Sequence, residues 1–346
     1  MTIKDLNELD IINNIKINSN FISVDHEKLK IICKIYNGSF YADSYNYFPI
    51  TNHNNTFKNL YTWGQPTKYS NFYKKDFFNK FNISKKKFKI FKNSTVIGSS
   101  AINNYYTNLI TFLPRIFFIP NEEINLVIHR NSSNHYREFL KHIILLSNKK
   151  INKFIYLDDD FYFFENSKIP QFFSKKFAVK ILNQIALNNT NKKKIKIYVT
   201  RQNTAFRNIV NESDIRDELT KKGYLIINTN NLSINEQVNI FSNADIVIGP
   251  TGSALSNIVF CKKNTKVLEI IPKYDQKNEK ILKNRYSEIC QFLNLKYSFL
   301  EADPVEPEII DNNLKKFINP LYLKKSNYYK NLLVKRKKFI EKIKEF

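Results

Sequence analysis

Residues 244–257 read ADIVIGPTGSALSN: an apolar run stops at Gly249-Pro250, and Thr251, Gly252 and Ser253 follow before the next apolar stretch. Glycine lets a backbone approach a ligand closely, and the first turn of a helix offers N–H groups without an internal partner. Such a stretch is either a tight turn that needs small residues or a cradle for a phosphate. It matches neither the G-x-G-x-x-G fingerprint nor the P-loop, which argues against a dinucleotide dehydrogenase and a Walker-type NTPase. A second cluster lies in RQNTAFRNIVNE, where Arg201 follows the apolar stretch KIKIYVT (194–200) and Arg207 comes soon after. A planar guanidinium at the carboxyl end of a strand suits a pyrophosphate; surface ion pairs with Glu212 or Asp214 are the simpler reading. Glu269, a lone carboxylate in the apolar run VLEII, needs a partner if buried, either ribose hydroxyls or a neighbouring Lys or Arg.

Two further groups could do chemistry. Asp158-Asp159-Asp160 closes the run KFIYLDDD, where an acidic cluster could hold a divalent cation, or simply form a polar turn or helix cap. The five histidines, His26, His53, His129, His135 and His142, show no zinc-helix spacing. His135 lies near Glu138 at the start of an expected helix, in SSNHYREFLKH, where either residue could act as a general base. A capping or exposed histidine is the structural alternative.

The elements that must position these groups follow a rhythm from about Lys194 onward. Strands are expected at 194–200, 224–229, 245–249, 265–271 and 296–301. Helices are expected at 211–222, ending at Gly223, from the capping box Ser233–Glu236 to about Asn243, and at 253–260 and 279–293. Alternating strands and helices predict a mostly parallel, doubly wound sheet that binds ligands outside the carboxyl ends of its strands. The region to about residue 190 is aromatic-rich, with short apolar runs at 88–99, 123–129, 136–147 and 152–157, and reads as a second α/β domain. DPVEPE (303–308) breaks the pattern, and the tail 321–346 reads as basic amphipathic helix.

The chain has 346 residues, with 55 Lys+Arg against 31 Asp+Glu, a net charge of +24. Such a surface suits anionic substrates or an anionic membrane face, or reflects no more than a biased composition. No recognised nucleic-acid-binding motif accompanies the charge, so a nucleic-acid partner is not expected. Cys33, Cys261 and Cys290 fit no metal spacing or disulfide framework, which suits a reducing compartment. The stretch MTIKDLNELD has no apolar signal core, and LITFLPRIFFIP (109–120) is too short to span a bilayer. A cytoplasmic protein that can lie against the inner membrane face is the expectation.

Taken in order, the residues between Ile197 and Pro272 resemble glycosyltransferase family 61. This family includes capsule-type bacterial enzymes, plant xylosyl- and arabinosyltransferases and animal O-linked GlcNAc transferases. The resemblance rests on Arg201, Arg207, Asn211, Glu212, Gly223, Tyr224, Glu236, Gln237, Phe241, Ala244, Gly249, Pro250, Gly252, Leu255, Asn257 and Glu269. The histidine of the family's loop is Thr251 here, and its following Ala-Gly is Ser253-Ala254. The resemblance implies two Rossmann-like domains of the B-type glycosyltransferase (GT-B) architecture. An acceptor-side domain would cover 1–190, a nucleotide-sugar-binding domain 191–310, and a basic helical tail 311–346 would return to the first domain.

It also implies an inverting transfer from a nucleotide diphosphate sugar to a hydroxyl of a glycan or lipid-linked saccharide, as in capsular polysaccharide synthesis. Neither metal nor cofactor takes part in that reaction. His135 or Glu138 would be the base, with either Asn134 or His135 in the place of the family's N-terminal histidine. Arg201, Arg207, Gly249, Pro250, Thr251, Gly252, Ser253, Asn257 and Glu269 would bind the donor. The alternatives are a metal-dependent glycosyl- or nucleotidyltransferase using Asp158–Asp160, or a non-catalytic relative that lost its chemistry with the loop histidine.

Overall fold

The computed structural model describes residues 20–26, 31–43, 89–98, 105–119, 123–130, 132–147, 149–158, 161–170, 174–187, 194–202, 204, 207–273, 284–305 and 331–345. The fold is α/β, with two sheets in two compact units, Met1–Ala178 and Val179–Phe346. The boundary falls inside a helix, Lys175–Leu187, ahead of the one expected at residue 190.

The first unit has seven strands among its described residues: β1 (Asn20–His26), β2 (Ile31–Asp43), β3 (Ile90–Lys92), β4 (Ser94–Val96), β5 (Ile124–His129), β6 (Ile151–Leu157) and β7 (Phe161–Pro170). Their order is β1-β2-β7-β4-β5-β6, with β3 also paired to β7. The sheet is mixed: β1–β2 and β2–β7 run antiparallel, and β4, β5 and β6 parallel. The expected parallel arrangement therefore holds for one side of this sheet. Helix α1 (Asn134–Leu146) connects β5 to β6 as a βαβ crossover. It starts at Ser133, whose hydroxyl accepts from Tyr136 N at 3.2 Å, and it buries Tyr136, Phe139, Leu140 and Ile143. That spacing is the apolar stripe of a helix lying on a sheet.

The second unit begins with the end of α2 (Lys175–Leu187). Its elements are β8 (Ile195–Val199), α3 (Glu212–Lys221), β9 (Tyr224–Ile227), α4 (Ile234–Ser242), β10 (Ala244–Pro250), a 3-10 helix (Ser253–Phe260), β11 (Lys266–Pro272), α5 (Arg285–Leu293), β12 (Lys296–Val305), β13 (Asn331–Leu333) and α6 (Arg336–Lys344). The sheet order is β9-β8-β10-β11-β12-β13, parallel up to β12.

The local signals placed these elements well. Glu212 and Asp214 open α3, Lys221 lies in its last turn, and Gly223 at φ +76° accepts the left-handed turn that ends it. The Ser233–Glu236 capping box is formed in both directions. Two expectations change. DPVEPE does not end the pattern at Asp303, because β12 runs on to Val305 and pairs antiparallel with β13, Asp303 opposite Leu333. The tail is not wholly helical: a strand precedes α6, and Leu332, Val334, Phe339 and Ile343 enter the core of this second sheet beside Tyr198, Ile248 and Leu268. Residues 279–283 of the expected helix lie outside the described residues.

Candidate functional site

From β8 the chain steps outward to β9 and then returns past β8 to lay down β10, so the strand order reverses between β8 and β10. At such a switch point the crossovers leave in opposite directions and open a crevice at the carboxyl ends. Thr200-Arg201 follow β8, and Thr251-Gly252-Ser253 follow β10. Both motifs found in the sequence thus meet at the one place in this sheet where its topology opens.

The two glycines serve separate contacts. A Cβ on Gly249 would lie 3.1 Å from Val199 Cβ, so this residue keeps the strands close. A Cβ on Gly252 would lie 1.7 Å from Arg201 Nη1. Gly252 has extended backbone at φ 173°, so its reason for being glycine is space: the Arg201 guanidinium lies directly on its backbone. A cation and the start of the 3-10 helix Ser253–Phe260 are thereby stacked together at the crevice.

Beneath these groups is a set of buried polar supports. Glu212, 5% exposed, accepts from Tyr198 Oη at 2.9 Å and Thr200 Oγ1 at 2.8 Å, with Arg201 N at 3.4 Å. It therefore organises the end of β8 and is not the surface ion-pair partner that was the simpler reading of the sequence. Gln237 Nε2 donates to the carbonyls of Thr229 and Leu232, and its Oε1 accepts from Asn257 Nδ2 at 2.8 Å. Glu236 caps α4, so the EQ pair divides into a cap and a clamp on the 3-10 helix. Tyr286 from α5 donates to the Gly252 carbonyl from below.

Arg207 is buried and has φ +59°, a left-handed conformation that a non-glycine residue adopts at a cost of about 1 kcal/mol. Its segment is held by residues far away in sequence. Leu332 N donates to Asn208 O at 2.8 Å, Val210 N donates to Leu332 O at 2.9 Å, and Asn208 N donates to Asn331 Oδ1 at 3.2 Å. Asn211 pairs with Val334 in both directions, Nδ2 to O at 2.9 Å and N to Oδ1 at 3.1 Å.

Glu269 is fully buried in β11, opposite Gly249. Thr251 N donates to Ile270 O at 2.8 Å, which carries the strand pairing one step past β10 and seats buried Thr251 beside Glu269. Tyr297 donates to Glu269 Oε2 at 2.8 Å, whereas Oε1 has no well-formed hydrogen bond among the described residues. Burial pushes this carboxyl up to about 7, with Thr251, Tyr297, Arg207 and Arg285 pulling it down.

The nine residues expected around a donor thus separate by depth. Arg201, Thr251, Gly252 and Ser253 come together at the crevice, and Arg207 is buried within electrostatic reach of Glu269. Gly249 and Pro250 are buried in β10. Asn257 and Glu269 are both sealed at 0% exposure, on Gln237 and Tyr297 respectively, so they support the loop from within.

In the first unit, His135 is half-buried in the first turn of α1, its ring edge-on to Tyr105 at 6.4 Å, and Glu138 is exposed. Asp158 accepts from Arg130 Nε at 2.6 Å in an exposed ion pair; Asp159 and Asp160 lie outside the described residues. Among the described residues, no group of three or more His, Cys, Asp or Glu is placed to hold a metal, and no helix is long and apolar enough to cross a membrane. Sequence reading missed the supporting roles of Glu212, Tyr286 and Tyr297, and the tail contacts of Asn331, Leu332 and Val334. The Asn211-Glu212 pair was a signal for the first; the others carry no local pattern.

The structure thus brings an arginine and a glycine turn together at the switch-point crevice of an α/β unit. The family model Glycosyltransferase 61 matches residues 105–268, from the helical segment Tyr105–Phe118 ahead of β5 into β11. The matched family is the one that the motifs between Ile197 and Pro272 resemble, and sugar transfer is the general activity this match supports. No curated protein matches the chain.

Proposed function

We propose that the protein is an inverting glycosyltransferase of GT-B type, moving a sugar from a nucleotide diphosphate sugar to a hydroxyl of a glycan or lipid-linked saccharide. The observation that carries this reading is the packing of Arg201 on Gly252 where the strand order reverses. A sugar leaving from a nucleotide diphosphate deposits negative charge on the β-phosphate. Arg201, Arg207 and the N–H groups at Gly252–Ser253 are the donors for that charge. A fixed donor aimed where charge develops is worth about 3 kcal/mol in the transition state. The buried supports Glu212, Gln237, Asn257 and Tyr286 keep these groups in place, so little reorganisation accompanies the charge movement.

In the first unit, His135 or Glu138 would take the acceptor proton as its oxygen attacks the anomeric carbon. The acceptor oxygen gains the bond, the glycosidic oxygen of the diphosphate keeps the electron pair, and configuration inverts. Thr251 would leave the loop a hydroxyl where the resembling family has an imidazole. The surplus of 55 basic over 31 acidic residues suits an anionic acceptor at a cytoplasmic membrane face.

The test is Arg201→Ala with donor binding measured by calorimetry and turnover by product release. A loss of at least about 100-fold in turnover is expected. Unchanged binding and turnover would overturn the assignment. A chelator should change neither; loss of activity with chelator would favour the metal-dependent reading of Asp158–Asp160.

A further inference from the structure

Glu269 is sealed from solvent, so it does not contact a donor directly, yet it lies against the groups that would. Thr251 faces it from the loop after β10, Tyr297 from β12, Arg285 from the start of α5, and Arg207 from the segment after β8. One carboxyl oxygen is bonded to Tyr297 and the other has no well-formed partner among the described residues. A carboxyl sealed from water favours its neutral form even with the Tyr297 and Thr251 hydroxyls donating to it. The Arg207 charge opposes this, because it stabilises the ionised form.

Resting on the donor reading above, we propose that Glu269 is a positioning residue that takes up a proton when a nucleotide diphosphate sugar binds. The shared cation sets the direction. Arg207 lies within electrostatic reach of Glu269, the donor reading gives the same side chain to the diphosphate, and two negative charges sharing one cation repel. Protonating Glu269 removes the competitor and turns the Arg207 charge toward the donor. Coupling of this kind is reciprocal: if the donor raises the proton affinity of Glu269, the proton raises the affinity for the donor.

The sign follows for pH. Below about 7 the carboxyl is already protonated and affinity is flat. As pH rises through that value, each binding event must recruit a proton and affinity falls. Folding carries the same sign. The folded value lies above the ordinary 4.5, so this contribution to stability is complete below 4.5 and is lost as pH rises through about 7.

The experiment is titration calorimetry with UDP-glucose, UDP-N-acetylglucosamine, GDP-mannose and dTDP-rhamnose. Their diphosphate diesters do not themselves titrate near neutrality. Each titration is run from about pH 6 to about pH 8.5 in two buffers of different ionisation enthalpy. For whichever sugar binds, the wild type is expected to take up protons and to weaken about fivefold over this range. Glu269→Gln is expected to show a flat profile and no proton uptake. Tyr297→Phe, which removes a hydrogen bond favouring the charged form, moves the fall to higher pH. Equal slopes in wild type and Glu269→Gln, or binding without proton uptake, overturn the proposal and leave the donor reading standing. Failure of all four sugars to bind the wild type at any pH overturns both.

Discussion

The end of β8 and β10 in the second unit and the start of α1 in the first are built on different principles. At the former, the crevice residues are held by a chain of contacts: Arg201 packs on Gly252, the Gly252 carbonyl accepts from Tyr286, Thr200 donates to Glu212, and the 3-10 helix is held through Asn257 on Gln237. At the latter, His135 is half-buried with a ring contact to Tyr105, and Glu138 is exposed. The difference fits the two roles proposed for them. A site that stabilises fixed phosphate charge gains from rigidity, since oriented dipoles cost nothing to reorganise. A base that meets varied acceptor hydroxyls needs reach and accessibility.

Exchanging the two behaviours by mutation is the direct way to break this comparison. The largest effect is expected at the base. Either His135→Ala or Glu138→Ala should lower turnover about 1,000-fold while leaving donor affinity unchanged. One of the pair should carry the loss, and calorimetry beside steady-state rates separates it from binding. Retained turnover in both variants would remove the base from α1.

Next is Gly252→Ala. Its methyl group cannot coexist with Arg201 Nη1 as placed, so the guanidinium must leave the loop. Displacing a catalytic cation by about an ångström costs on the order of 100-fold in rate. The melting temperature should hardly move, because φ 173° is open to alanine. Smallest is Glu212→Ala, which strands the Tyr198 and Thr200 hydroxyls and should destabilise the fold by about 2 kcal/mol, read by chemical denaturation. The comparison sharpens if Glu138→Ala stays within about 0.5 kcal/mol of wild type in the same assay.

The same contrast governs how far the sequence could be read. In the second unit, strand and helix positions follow from short-range signals: apolar runs, Gly223, the Ser233–Glu236 box. The loop stood out because Gly, Pro and small residues cluster where a strand ends, and the structure places that cluster at the switch point of the sheet. Depth was not legible. Asn257 and Glu269 read as ligand contacts because their types suit hydroxyls, yet both are sealed beneath the loop, and burial is a property of packing among distant segments. Thr251, read as a missing imidazole, turns out to sit beside Glu269. In the first unit, the antiparallel pairing of β2 with β7 joins segments more than a hundred positions apart, and no local pattern announces it.

The contacts between Asn211 and Val334 span 123 residues of sequence. During synthesis the chain emerges in order, and every other piece of the crevice, from Arg201 to Tyr297, is out before them. Arg207 cannot be locked into its left-handed conformation until Asn331–Val334 arrive and β13 closes against β12. Long-range pairings of this kind form late because the loop they close is long. The crevice at the switch point is thus completed near the end of folding. A nascent or clipped chain ending before Asn331 would present a nearly finished sheet with its arginine unseated.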